Sequence, residues 1–175
     1  MKYLYFYIFF LIFTNSQLHA DDSIEKIGDV LQIGLPSTAL YMTFLKNDIN
    51  GRVSFWESLL SSTMITISLK KTLYKKRPDA SNYESFPSGH TTVAFSGASF
   101  ITYRYGVKYA IPTYLLAAFV GYSRVHAKKH YWEDVIVGAG IGIINTLYYA
   151  TPISQKTQIW INPIEKNILI SISLK

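Results

Sequence analysis

The sequence predicts an all-α fold, a compact bundle of about five to six hydrophobic helices, with a short β-hairpin at the C-terminus. Three observations carry that expectation. Apolar residues make up 49% of the 175 positions and charged residues only 16%, against roughly 25% charged in an average soluble domain. The apolar residues fall in runs of helical length separated by short polar stretches. β-prone sequence is confined to the region after Pro152. The mean hydropathy, +0.15, lies between that of a soluble enzyme and that of a multi-span membrane protein.

The N-terminus reads as an export segment over residues 1–20. Lys2 precedes an eleven-residue apolar run, YLYFYIFFLIF, and a polar stretch then ends on the small residue Ala20. That layout matches a cleaved signal peptide, and the run is too short to span a bilayer. An uncleaved anchor is the alternative. A helical domain follows over 21–153 and a tail over 154–175. Asp21 to Asp29 is polar and opens the domain. Val30 to Leu45 is apolar and interrupted by Pro36. Next come Phe55 to Leu69, Thr91 to Tyr103, Val107 to Tyr122, and Val135 to Ala150 with glycines at 138, 140 and 142. Small residues of that kind let helices approach closely. Each run is shorter than the ~20 residues of a straight span. Core helices and short spans extended by their flanks both remain open, and contact with a membrane is expected. In the tail, TQIWI and ILISISL alternate around the turn residues of NPIEKN, which predicts the hairpin.

The net charge of +6 suits an anionic partner such as a phosphate or an anionic lipid. The absence of cysteine excludes disulfides, thiol redox chemistry and zinc–thiolate sites. The polar residues inside the apolar chain cluster at three places. Lys70 and Arg77 lie seven apart, about two helical turns, so both can project from one face. Pro78 then ends that segment. Lys71, Lys75 and Lys76 read as a basic stretch against anionic head groups. In FPSGHTT, Ser88 is an ordinary helix cap. If it starts the next helix, the N–H groups of Gly89 and His90 face outward at a positive helix end, where an anion binds. His130 and Asp134 are four apart on one face, so the carboxylate can accept a ring N–H and leave the other nitrogen as nucleophile or base. Arg124, just upstream, offers a fork that matches phosphate oxygens.

Lys70/Arg77/Pro78, Pro87/Ser88/Gly89/His90 and Ser123/Arg124/His130/Asp134 together resemble the signature of the type 2 phosphatidic acid phosphatase superfamily. That superfamily also holds bacterial class A acid phosphatases and vanadium haloperoxidases. Order and internal spacings match from Lys70 to Asp134, and the hydrophobic helices with the basic run Lys70 to Arg77 favour the bacterial membrane-associated lipid phosphatase branch. The resemblance implies a phosphatase in which Lys70, Arg77 and Arg124 clamp phosphate oxygens, aided by Ser88 and the N–H of Gly89. His130 would attack phosphorus to form a phosphohistidine, Asp134 would orient His130, and His90 would protonate the leaving oxygen and later activate water. Neither a cofactor nor a metal is expected, because the three cations take the metal's electrostatic role. The expected substrate is a phosphomonoester or diphosphate of a lipid, such as phosphatidic acid, phosphatidylglycerol phosphate, undecaprenyl diphosphate or a lipid A phosphate. A soluble periplasmic acid phosphatase acting on small phosphomonoesters is the alternative, and a vanadium-dependent haloperoxidase a minor one. The expected location is the bacterial cell envelope, either the inner membrane with a periplasm-facing site or the periplasm itself, with no nucleic-acid partner. His126 reads as a surface residue rather than a metal ligand, Asn82 and Glu84 as a solvated loop, and Trp132 as packing.

Overall fold

The computed structural model describes residues 20–153, 158–162 and 167–171. The apolar run at 3–13 lies outside the described residues. Within them the chain forms five α-helices: α1 (Ala20–Leu45), α2 (Ile49–Leu73), α3 (Gly89–Tyr105), α4 (Ala110–His126) and α5 (Trp132–Tyr149), with one 3-10 turn at Val107–Tyr109. In the tail, β1 (Gln158–Asn162) and β2 (Asn167–Ser171) pair antiparallel, with Trp160 opposite Leu169.

The polar segment Asp21 to Asp29 and the apolar run behind it are one helix, not two elements, and α1 continues through Pro36. A proline inside a helix forfeits one backbone hydrogen bond and crowds the preceding turn. Packing outweighs that cost here, because Leu35, Pro36 and Ala39 are buried. The helix α2 likewise extends past its apolar run at both ends. Asp48 caps its start by accepting the Gly51 N–H at 2.9 Å.

The helix α3 is the axis of the bundle and touches each of the other four. Its composition explains why: Thr91, Thr92, Ala94, Ser96, Gly97, Ala98 and Ser99 are small and buried on several faces. Their hydroxyls bond to carbonyls one turn back or to neighbouring helices, as when Ser96 Oγ donates to Thr92 O at 2.9 Å and Thr66 Oγ1 to Thr92 Oγ1 at 3.1 Å. The larger apolar side chains gather at the far end, where Phe55 and Phe100 meet edge to face at 5.3 Å. There, Arg104 donates from Nε and Nη2 to the buried Asp48 carboxylate, each at 2.5 Å, and Tyr105 adds its hydroxyl at 3.0 Å.

The helices α3 and α5 approach closely along Gly138 and Gly142. A Cβ at Gly142 would lie 2.5 Å from Thr92 O and 2.9 Å from Ser96 N, both backbone atoms, whereas Gly140 faces open space. Gly142→Ala should therefore force the two helices apart and lower stability by about 1–3 kcal/mol, read as a fall in Tm, while Gly140→Ala should not. Among the described residues, no helix is long and apolar enough to cross a membrane. The outer faces nevertheless expose large apolar side chains, among them Ile33, Leu60, Met64, Ile111, Ile136 and Ile144.

Candidate active site

The starts of α1, α3 and α5 and the ends of α2 and α4 meet at one end of the bundle. Alternating helix direction brings there side chains that lie far apart in the chain. Ser88 caps α3: it is fully buried and its Oγ accepts from Thr91 N at 3.4 Å and Thr91 Oγ1 at 2.9 Å. The hydroxyl expected to bind phosphate is thus turned into the helix start. The N–H groups of Gly89 and His90 open the helix and have no carbonyl of their own helix to bond. The N–H of Ser88 donates to Asp134 O at 2.9 Å, which fastens this helix start to that of α5.

His130 lies in the turn before α5 and is buried. Its Nδ1 is 2.6 Å from Ser85 O, while Asp134 Oδ2 is 3.7 Å away. The expected Asp134–His130 hydrogen bond is therefore replaced by one to a main-chain carbonyl. A carbonyl only accepts, so Nδ1 carries the proton and Nε2 holds the free lone pair. Burial, with the charges of Lys70 and Arg77 adding to it, lowers the His130 imidazole to about 4.

Asp134 has a different set of partners. Its carboxylate accepts from Lys75 Nζ at 2.6 Å, from Ser85 Oγ at 2.5 Å and from Tyr131 N at 2.9 Å. The last bond makes it the acidic member of a capping box at the start of α5. Burial works against its charge, but these donors outweigh it and hold its carboxyl below the ordinary range. Lys75, expected at lipid head groups, is instead the counter-ion of Asp134 and Glu133, with its ammonium 4.6 Å from the Tyr131 ring centroid. Asp134 and Lys75 together hold Ser85, and Ser85 holds His130.

Of the three cations expected to clamp phosphate, Lys70 and Arg124 have hydrogen-bond partners and Arg77 Nε has none among the described residues. Lys70 Nζ donates to Glu84 O at 2.7 Å, and burial next to Arg77 lowers its ammonium to about 8. Arg124 is 3% exposed and donates to Ser123 Oγ, Asp29 Oδ1 and Glu25 O at 3.1, 2.8 and 2.7 Å. Arg77 lies in the segment between α2 and α3. Its Nε is buried with no hydrogen-bond partner among the described residues. Its charge acts on both His90 and His130. Arg52 Nε, at the far end of the bundle, is also buried without a partner, so what distinguishes Arg77 is its place beside both histidines, where an anion would complete its bonding. The segment is pinned beside the turn that carries His130, by Asp79 N to Lys128 O at 3.0 Å and Lys129 Nζ to Asp79 Oδ2 at 2.8 Å.

His90 Nε2 faces Asp29 Oδ1 at 3.1 Å. Nothing in the motifs pointed to Asp29, which belongs to the polar opening of α1. Its spacing from Glu25, one helical turn in a helix that then becomes apolar, is the one sequence signal it gives. Asn82 and Glu84 line an open cavity of about 520 Å³ with Lys70, Lys71, Tyr74 and Tyr83. His126 is exposed and stacks on Tyr122. Trp132 is 54% exposed as the first residue of α5 and is not a packing residue.

A family model described as the PAP2 superfamily matches residues 66–157. The lipid A 1-phosphatase of Porphyromonas gingivalis is 33% identical over 105 residues, which cover 54% of this chain and 24% of the relative. The lipid A 4'-phosphatase of Helicobacter pylori is 34% identical over 127 residues, covering 66% of this chain and 64% of the relative. The chain thus spans about a quarter of the first relative and just under two thirds of the second. The crystal structure of Aquifex aeolicus LpxE superimposes with a TM-score of 0.66 at 25% identity, over 82% of this chain and 93% of that one.

Proposed function

Because the chain belongs to the PAP2 superfamily, we propose that it is a phosphatase that removes phosphate from a lipid in the bacterial cell envelope, through a phosphohistidine and without a metal. The observation that carries this reading is the buried, unpartnered Nε of Arg77 beside two histidines in unlike surroundings. A phosphoryl group bound there completes the hydrogen bonding of Arg77 and meets Lys70, Arg124 and the N–H of Gly89. His130 Nε2 attacks phosphorus as the bond to the leaving oxygen breaks, and His90 gives that oxygen its proton. Water then attacks the phosphohistidine, returns a proton to His90, and frees phosphate. Asp134 acts at one remove, by holding Ser85 and with it the His130 ring. The names of the two relatives support a lipid substrate, as do the apolar outer faces of the helices, which we place against the membrane with the site open to the periplasm. A soluble acid phosphatase working on small phosphomonoesters is the second reading, against which the lipid reading is tested.

A phosphate-release panel of lipid and water-soluble mono- and diphosphates separates the two. Release should be fastest from a lipid phosphate in mixed micelles, and the pH profile of kcat/KM should be acid-shifted. The nucleophile is neutral above about pH 4. Burial and the Arg124 charge lower His90 from its ordinary value near 6.5, so as pH rises its proton is lost earlier than from a free imidazole. Water-soluble esters turned over as fast as lipids would favour the second reading. No release from any ester, or a profile that keeps rising to pH 9, would remove the proposal.

A further inference from the structure

We propose that Asp29 is the positioning residue of the proton donor: its carboxylate binds the Nε2–H of His90 and leaves Nδ1 as the atom that delivers the proton. This rests on the phosphatase reading above and adds to it a residue outside the three motifs. A carboxylate only accepts, so the contact at 3.1 Å puts a hydrogen on Nε2. The second proton of the imidazolium then sits on Nδ1, which can hand it to a leaving oxygen.

The two histidines are thereby set apart by their partners. His130 is flanked by the cations Lys70 and Arg77 and bonds to a neutral carbonyl, which suits a neutral nucleophile. The charged groups facing His90 are Arg124 from α4, Arg77 from the segment after α2, and Asp29 from α1, with Glu25 behind Arg124. The two arginines oppose the imidazolium and Asp29 favours it. A paired carboxylate on the acid, and none hydrogen-bonded to the nucleophile, is the arrangement that separates the two roles.

Asp29 is placed by packing. Next to it, Gly28 lies against α4 so closely that a Cβ would fall 1.9 Å from Ser123 Oγ. The contact contributes little stability, since the side chains of His90 and Asp29 are 37% and 48% exposed. Arg124 stays tied to Glu25 O and Ser123 Oγ when the Asp29 charge is removed. Asp29→Asn is therefore expected to fold and to keep its arginine in place.

The test compares wild type and Asp29→Asn in the full chain on two esters. An alkyl phosphate needs a proton on its leaving oxygen, and p-nitrophenyl phosphate needs almost none. The variant should lose about 100-fold in kcat/KM, which reports phosphoryl transfer to His130 and not the later hydrolysis, on the alkyl ester and less than about 3-fold on the aryl ester, with the basic limb of the alkyl profile moved to lower pH. Equal losses on both esters, or none on either, would overturn the proposal. NMR titration of the histidine rings gives a readout independent of turnover. The His90 pKa should fall in Asp29→Asn while that of His130 holds, and an unchanged His90 overturns the proposal even if the protein is a phosphatase. A wild type that releases phosphate from neither ester removes the phosphatase reading, and this proposal with it.

Discussion

His130→Ala is expected to abolish phosphate release, with a loss of about 10,000-fold or more, because a covalent nucleophile has no substitute in the site. The candidates for that role are the buried imidazole of His130 and the half-buried one of His90, and their surroundings choose between them. His130 presents Nε2 as a free lone pair because Nδ1 is fixed on Ser85 O, while His90 has its Nε2 on a carboxylate. Removing the ring also orphans the buried Ser85 carbonyl, which costs about 1–3 kcal/mol of stability. His130→Asn separates the two effects. Its amide can still donate to Ser85, so the protein should melt near wild type and be equally inactive. Rapid acid-free quenching of wild type with labelled substrate should trap an acid-labile, alkali-stable phosphoryl group, the behaviour of a phosphorus–nitrogen bond. Neither variant should carry it. Turnover retained in either variant would remove His130 as nucleophile, and label on His90 would reverse the two assignments.

The sequence placed Ser88 and Asp134 at helix starts because those signals are local, but the helix expected to carry both Lys70 and Arg77 up to Pro78 ends at Leu73, where Tyr74 turns left-handed, so Arg77 reaches the site from a loop and not from the face of Lys70. Ser88 caps a helix by a contact with Thr91, three residues on, and Asp134 closes the start of α5 on the Tyr131 N–H, three residues back. Partners were less legible than positions. The group that orients His130 is a main-chain carbonyl 45 residues away, and every residue has a carbonyl, so no side-chain pattern announces it. Asp29 meets His90 across 61 residues and Arg124 across 95, a contact made by the packing of α1 against α4. The i, i+4 rule for His130 and Asp134 does not apply, because His130 precedes the helix that Asp134 opens and the Tyr131 between them is extended; Lys75, Ser85 and the Tyr131 N–H occupy the carboxylate instead. Helix lengths were underestimated for the reverse reason. Polar residues at the start of α1 and the end of α2 read as boundaries, yet Glu25, Asp29 and Lys70 among them face the site.

Arg77→Met is expected to lower kcat/KM by about 100- to 1,000-fold, the usual cost of losing one preorganised donor to a developing anion, while leaving Tm unchanged or slightly higher. The two halves of that expectation have one cause. The Arg77 Nε is buried without an acceptor among the described residues, so its desolvation is repaid only by a bound anion. A methionine of similar length fills the space without that penalty, and sites built for binding commonly trade stability in this way. The other two cations cannot show the effect as cleanly. Lys70 holds Glu84 O, and Arg124 ties α1 to α4 through Asp29 and Glu25, so their removal disturbs packing and phosphate binding together. Ligand-induced stabilisation provides the matching control. Inorganic phosphate at about 100 times its Kd should stabilise wild type by about 2.7 kcal/mol, and the same concentration should shift Arg77→Met far less. If the variant melts lower than wild type and still gains the full shift from phosphate, Arg77 is a structural residue and the anion site lies elsewhere. If it melts at or above wild type and the shift is lost, the unpaired guanidinium is the anion's seat, and the instability it carries belongs to function rather than to the fold.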